Sequence, residues 1–299
     1  MDANLLKEMH DSLPDSSRYQ EDLSQHTTWK IGGKAECIVF PSNISEIVQT
    51  IEFCKTHALE FSIIGNGSNI LFRDKTYPGV IIQLTKNFNH LEINNSCVKA
   101  DAGVLLAAIA MKTKRLGLTG FEYLSLIPGS VGAAVIMNAG SHGLEISKLL
   151  KNVIVLNENN NIEILASNEI IFSHRFSSLS VSKYILLQAE FQLEYGLLQD
   201  IETRQESFLL WRKNHQPISN LTAGSVFKYP SGTTAGKLID NCGLRGLVVG
   251  NAKISLIHAN FIENLGGATA KDVLNLIYIC KACVWEKFAI QLETEVKII

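Results

Sequence analysis

Apolar and polar residues along this chain follow two periods, and the switches between them mark its elements. In "TTWKIGGKAECIVFP" the apolar run from Glu36 to Pro41, bounded by Gly32, Gly33 and Pro41, reads as a strand. In "NISEIVQTIEFCKTHA" the period lengthens: Ile44, Ile47, Val48, Ile51 and Cys54 share one helical face, Asn43 caps it, and Glu46 completes a capping box. Two short apolar runs follow, "FSIIG" and "GVIIQL", separated by "GNGSN" and "RDKTYP". Together these form a small β-α-β-β module.

From residue 90 the pattern predicts strands at "HLEIN" and "CVKADAG", a helix at "LLAAIAMKTKRLG", and a loop and helix at "FEYLSLIPGSVGAAVIMNAG". "NVIVLNENNNIEIL" reads as a hairpin around Asn159 and Asn160, and "SKYILLQAEFQLEY" as one long strand. "LLQDIETRQESFLLWRKNHQP" predicts a connecting helix into a third unit holding "NLTAGSVFKYP", the helix "AGKLIDNCG" and the apolar "HANFIEN". A helix capped by Thr269 with Asp272 three residues on, then a strand "LETEVKII", complete the pattern. In that strand Leu292, Thr294, Val296 and Ile298 share one face and Glu293, Glu295 and Lys297 a solvated one.

Composition narrows the class. With 299 residues, 46% hydrophobic and 19% charged, the chain can bury a sizeable core in two or three domains. A net charge of -2 gives no electrostatic footprint for nucleic acid or an anionic membrane, so an anionic ligand has to be held by local groups. The N-terminal "MDANLLKEMHDSLPDSS" has no apolar h-region and no run reaches a membrane span. Six scattered cysteines without disulfide-like spacing fit a cytoplasmic location, and Cys280 and Cys283 read as helix cysteines rather than zinc ligands.

Candidate chemistry sits in four places. Gly65, Asn66, Gly67, Ser68 and Asn69 let backbone N–H groups approach a phosphate, although a tight turn is the commoner use of such a loop. It is not the dinucleotide fingerprint, because a strand-like run follows instead of a helix. "IPGSVGAAVIMNAG" suits close packing against a planar ligand or, equally, of helix on sheet. Arg175, beside His174 among apolar residues and hydroxyls, suits a carboxylate or phosphate, or a plain surface. Ser225 alone reads as a turn residue.

Taken together, "TTWKIGG", "GNGSNILFRD", "GFEYLSLIPGSVGAAVIMNAG", "AGSVFKYP", "AGKLIDNCGLRG", "HANFIENLGGATAKDV" and "LETEVKII" resemble, in order, the motifs of the UDP-N-acetylenolpyruvoylglucosamine reductase family, in its shorter, second type. The resemblance implies an α+β protein: an oxidase-type (PCMH-like) FAD-binding fold of two subdomains, 1–86 and 87–205 with the strand 290–299 packing near the latter, plus an α+β substrate-binding subdomain, 206–289. It implies noncovalent FAD, with no histidine or cysteine where related oxidases tether flavin, and NADPH as cosubstrate. The flavin contacts implied are Gly65, Asn66, Gly67, Ser68 and Asn69, then Ile127, Pro128, Gly129, Ser130, Gly132, Ala133 and Asn138. Ser225 matches the family's proton donor, Arg175 its anion-stabilising arginine, and Glu295 its C-terminal glutamate, expected to be protonated beside the substrate anion.

His174 stands where the family commonly has Tyr, and Tyr229 where it commonly has Asn; with Gln216 and Lys228 they are the implied substrate contacts. The implied partner is a small molecule, UDP-N-acetylglucosamine enolpyruvate, with no nucleic acid, membrane or obligate protein partner. Two other readings compete: an oxidase of the same fold acting on a small alcohol, and a noncatalytic protein derived from it. Retention of Ser225, Arg175 and Glu295 together speaks against the second.

Overall fold

Three of the described α-helices begin where the sequence supplies a side-chain cap, at Asn43, Thr234 and Thr269. The Asn43 side chain accepts from the Glu46 N–H at 3.0 Å, and the Glu46 carboxylate returns to the Asn43 amide and the Ser42 N–H. In the same way Thr269 and Asp272 form a full capping box, and the Asp74 carboxylate accepts from the N–H groups of Ala270 and Lys271 at 2.7 and 3.0 Å. The computed structural model describes residues 3–12, 16–230 and 232–299, so the N-terminal stretch read above as lacking an h-region lies partly outside them. The described helices are α1 (Ala3–Ser12), α2 (Ile44–Thr56), α3 (Leu106–Arg115), α4 (Val131–Ile136), α5 (Leu198–His215), α6 (Ala235–Asn241) and α7 (Ala270–Phe288).

Contacts divide the chain into two units rather than along the boundaries expected at 86 and 205. The first gathers the residues up to Arg18, Ile38–Asn66 and Val80–Leu209; the second gathers Tyr19–Cys37, Gly67–Gly79 and Leu210–Ile299.

In the first unit the strand Phe61–Ile64 pairs in parallel with residues 80–83. An antiparallel sheet runs in the order Ile162–Ala166, Leu150–Leu156, Ile185–Gln192, Cys97–Asp101, Leu91–Asn94. Period-two alternation buries Leu187, Ala189 and Phe191 along its central strand, and the Phe191 ring meets Phe121 edge-on at 5.2 Å. The long strand expected at "SKYILLQAEFQLEY" is broken: Leu193 turns its N–H to the Ser96 carbonyl, and Glu194–Tyr195 pairs with Leu118–Thr119 instead.

The second unit is organised around Trp29, which is fully buried and donates its indole N–H to the Ile262 carbonyl at 2.9 Å. Asn264 ties the same region together, its amide donating to the Trp29 carbonyl and its oxygen accepting from Gly266 and Ala268. Trp29, Ile31, Leu71, Val226, Phe227, α6 and α7 share this core, beside a three-stranded antiparallel sheet of Val248–Val249, Ala252–Ile254 and Ile262–Asn264. The segment "LETEVKII" belongs to this unit. It is not one strand: Phe227 bridges Thr294 antiparallel, the chain bends at Val296, and Lys297–Ile298 pairs in parallel with Ile70–Leu71.

Candidate active site

The glycine-containing loop leaves the strand Phe61–Ile64 with its donors unspent. Among the described residues the N–H groups of Gly65, Asn66, Gly67 and Ser68 donate to no protein acceptor, and Gly67, at φ +63, is buried. Four consecutive free amides in a turn are a nest for an anion. In the first unit the Asn66 amide donates to the Pro128 carbonyl at 2.7 Å, and the Gly65 Cα lies so near Ser130 that a Cβ would collide with the Ser130 Oγ. That hydroxyl is buried with no hydrogen-bond partner. A buried orphan hydroxyl beside the free amides of Gly65 and Asn66 fits the pyrophosphate of a dinucleotide such as FAD.

The rest of the expected flavin segment is built for close approach. Gly132 carries its backbone against Ala102, where a Cβ would sit 2.9 Å from the alanine's methyl, and its N–H is already spent on the Ala102 carbonyl. Val131 likewise donates to the Val104 carbonyl. These residues, with Ile127, Gly129 and Ala133, therefore offer surface and shape more than backbone donors.

Asn138 has a different task from its neighbours. It is 0% exposed, its amide donates to Glu145 at 2.9 Å and to the Ser173 carbonyl at 3.0 Å, and its oxygen accepts from the Ser147 N–H. Ser177 Oγ donates to the Ile136 carbonyl at 2.6 Å. Both bonds fasten the hairpin Phe172–Ser173/Phe176–Ser177 to the C-terminal end of α4. His174 and Arg175 form its tip, with Arg175 at φ +55, a conformation an arginine adopts at a cost of about 1 kcal/mol. His174 Nδ1 lies 3.7 Å from Glu145, so the tip carries a potential ion pair beside the guanidinium.

In the second unit Ser225 follows Gly224, whose φ of +75 and open surroundings turn the chain. The Ser225 hydroxyl is half-buried and has no hydrogen-bond partner among the described residues. The next residues pair with the segment that carries Glu295: Glu295 N–H donates to the Val226 carbonyl at 2.8 Å, and Lys228 N–H donates to the Glu293 carbonyl at 2.9 Å. Glu295 is thereby lifted off the solvated face expected for it, while Glu293 and Lys297 stay exposed. Asn69 supports the same residue from the loop: its side-chain amide donates to the Glu295 carbonyl at 3.1 Å, and its own carbonyl accepts from Lys297. The second unit thus brings Ser225, Glu295 and Asn69 into one backbone network.

Lys228 is exposed and paired with Glu293 at 3.1 Å, and Tyr229 is 51% exposed. Gln216 accepts from Arg212 Nε at 2.8 Å, and burial lowers the Arg212 pKa. Sequence reasoning passed over two structural partners of candidate residues, Glu145 in the first unit and Asn260 in the second. Asn260 did leave a signal, a polar amide inside the apolar run "HANFIEN" that burial obliges to find partners.

Comparison with known proteins bears on this arrangement. The family described as "FAD binding domain" matches residues 35–161, and "UDP-N-acetylenolpyruvoylglucosamine reductase, C-terminal domain" matches residues 216–299. The UDP-N-acetylenolpyruvoylglucosamine reductase of Carboxydothermus hydrogenoformans is 43% identical over 298 residues, 99% of this chain and 98% of that protein. The chain belongs to the UDP-N-acetylenolpyruvoylglucosamine reductase family. The family's Bacillus licheniformis member is 42% identical over 280 residues, 93% of this chain and 92% of that protein. The crystal structure of the Thermus caldophilus reductase superposes with a TM-score of 0.82 at 34% identity, covering 94% of this chain and 97% of that one. An alkyldihydroxyacetonephosphate synthase matches at a TM-score of 0.51 and 12% identity, over 65% of this chain and 41% of its own, a likeness of fold alone.

Proposed function

We infer that this reductase-family chain converts UDP-N-acetylglucosamine enolpyruvate to UDP-N-acetylmuramate with NADPH and noncovalently bound FAD. This is a step in making peptidoglycan precursors, and through them in cell-wall growth, shape and division. The observation that supports the reading is the backbone pairing of Glu295 with Val226, the residue after Ser225, in a chain that matches a family member over 99% of its length.

Bound FAD would supply the two-electron chemistry that links NADPH to the methylene carbon of the enol ether. The groups to hold its pyrophosphate are the N–H groups of Gly65, Asn66, Gly67 and Ser68 and the Ser130 hydroxyl. Reduction also requires a proton at the carbon bearing the ether oxygen and the carboxylate. Negative charge develops there, and a carboxylate is a poor electron sink because it is already anionic. Arg175 offers fixed positive charge to that developing dianion, and Glu295, as the carboxylic acid, a hydrogen bond. Ser225 gives the proton, since its hydroxyl is otherwise unengaged, and regains one from the solvent its half exposure admits.

His174, Gln216, Lys228 and Tyr229 are assigned to the diphosphate and sugar. We place the reaction in the cytoplasm: Cys54, Cys97, Cys242, Cys280 and Cys283 are free thiols, which supports a reducing compartment. Among the described residues no helix is long and apolar enough to cross a membrane.

The test is Ser225→Ala followed through separate half-reactions. Flavin reduction by NADPH stays at the wild-type rate, and reoxidation by the enolpyruvyl nucleotide falls by roughly 100- to 10,000-fold. Equal rates in both halves overturn the role of Ser225. Reoxidation by oxygen alone, with indifference to the nucleotide, overturns the reaction.

A further inference from the structure

A weak acid such as a serine hydroxyl transfers a proton to carbon only when it is held in line, so whatever orients Ser225 matters as much as the hydroxyl itself. The peptide unit that joins Ser225 to Val226 is fixed by one residue. Val226 N–H donates to the Asn260 carbonyl at 2.9 Å. The Asn260 side chain then clamps the next residue from both ends: Phe227 N–H donates to Asn260 Oδ1 at 2.9 Å, and Asn260 Nδ2 donates to the Phe227 carbonyl at 2.9 Å. Asn260 is 1% exposed.

On the other side of the same segment, the Val226 carbonyl accepts from Glu295 N–H and Lys228 N–H donates to the Glu293 carbonyl. Asn260 thus takes the place of a neighbouring strand, and the segment behind Ser225 is gripped between it and the segment of Glu295. Only an amide can do this, because the clamp needs a donor and an acceptor in one plane at one length. A carboxylate has no donor, glutamine is a methylene too long, and an apolar side chain has neither group.

The clamp is itself braced. Asn260 N–H donates to His258 Nδ1 at 3.2 Å, which places the ring proton of the neutral imidazole on Nε2. Arg245, chelated by Asp240 at 2.7 Å through each of two guanidinium nitrogens, donates to the Leu256 and Ile257 carbonyls at 2.8 and 3.3 Å and so fixes the loop that presents His258.

We propose that Asn260 is the positioning residue of the proton-delivery step, setting the register of Ser225 against Glu295 through its two-point clamp on Phe227. This rests on the function inferred above and adds to it a residue that touches neither flavin nor substrate.

The experiment uses the FAD-loaded enzyme and the Asn260→Asp substitution, which keeps shape and volume. Above the pKa of the introduced carboxyl, its charge opposes the Phe227 carbonyl. Reoxidation by the enolpyruvyl nucleotide then slows roughly 10- to 100-fold, the size carried by one lost buried hydrogen bond and one orphaned carbonyl, with KM little changed. Below that pKa the carboxylic acid donates to the carbonyl and accepts from Phe227 N–H as the amide does, and the rate recovers. The wild type, which shares His258 but not this carboxyl, lacks that limb.

Flavin reduction by NADPH, measured at each pH, stays normal and reports that the protein is folded. Asn260→Ser, which cannot clamp both groups, is slow at every pH. A wild-type rate in Asn260→Asp throughout, a parallel fall of both half-reactions, or a deficit without pH recovery overturns the proposal. Ser225→Ala run alongside separates the two ideas: a slow Ser225→Ala with a normal Asn260→Asp sinks only the positioning role, whereas a normal Ser225→Ala sinks the proton-donor reading first.

Discussion

Ser130 carries an opposite-sign prediction. Its hydroxyl is buried without a partner, a cost of about 1–3 kcal/mol to the protein without flavin. Replacing it by alanine removes that cost, so Ser130→Ala apoprotein melts higher than wild type while binding FAD more weakly, by calorimetry and by fluorescence titration. A drop in both quantities would show the hydroxyl to be ordinary packing. Gly65→Ala is the complementary case, since the new methyl collides with the same hydroxyl. Its FAD affinity falls by roughly 5- to 100-fold, as overpacking of a tight contact does, and adding Ser130→Gly restores part of it.

Motif order singled out Gly65 to Ser130, but not which donors are spent. That depends on Ala102 and Val104 meeting α4, contacts that no local pattern encodes. Asn260 stood out as a polar amide in an apolar run, but its task was hidden for the same reason, its partners Val226 and Phe227 lying far away in the chain.

Among the elements, those governed by neighbouring residues were legible and those governed by distant ones were not. The helices at Asn43 and Thr269 begin at their expected caps because a cap is satisfied within three residues. The "LETEVKII" strand was misjudged in length because its two partners, Phe227 and Ile70–Leu71, lie in different parts of the sequence and pull it in different directions.

The central antiparallel sheet carries a pH prediction. Glu190 accepts from Lys151 at 2.6 Å and from Asn152 and the Cys97 thiol, so residues of three adjacent strands converge on one carboxylate. The Lys151 hydrogen bond, working against burial and with help from Cys97 and Asn152, holds the Glu190 carboxyl down at about 2, from an ordinary 4.5. A carboxyl with a lowered folded-state pKa contributes fully above its unfolded value and loses that contribution as pH falls through its folded one. The sheet therefore loses support between pH 4.5 and about 2. Glu190→Gln lowers the urea midpoint at neutral pH and flattens its decline over that acid range; an unchanged slope would remove Glu190 from acid unfolding.

For the whole molecule, the two units are not successive lengths of chain, which is why boundaries at 86 and 205 read well from motifs yet differ from the division by contacts. The core that contains α6 and α7 also requires Trp29, Ile31 and Leu71. A fragment of residues 206–299 therefore stays unfolded by circular dichroism, although it holds Ser225, Glu295 and the whole region matched to the family's C-terminal domain. Trp29→Ala in the full chain costs about 3–5 kcal/mol. A cooperative melt of the isolated fragment would refute this.

The parallel pairing of Ile70–Leu71 with Lys297–Ile298 has a bearing on biosynthesis. A ribosome releases Trp29 and Leu71 long before their partners around Glu295 exist, so these apolar residues wait in a half-built state where they can bind chaperones or aggregate. Translation speed through the intervening residues then becomes a determinant of yield.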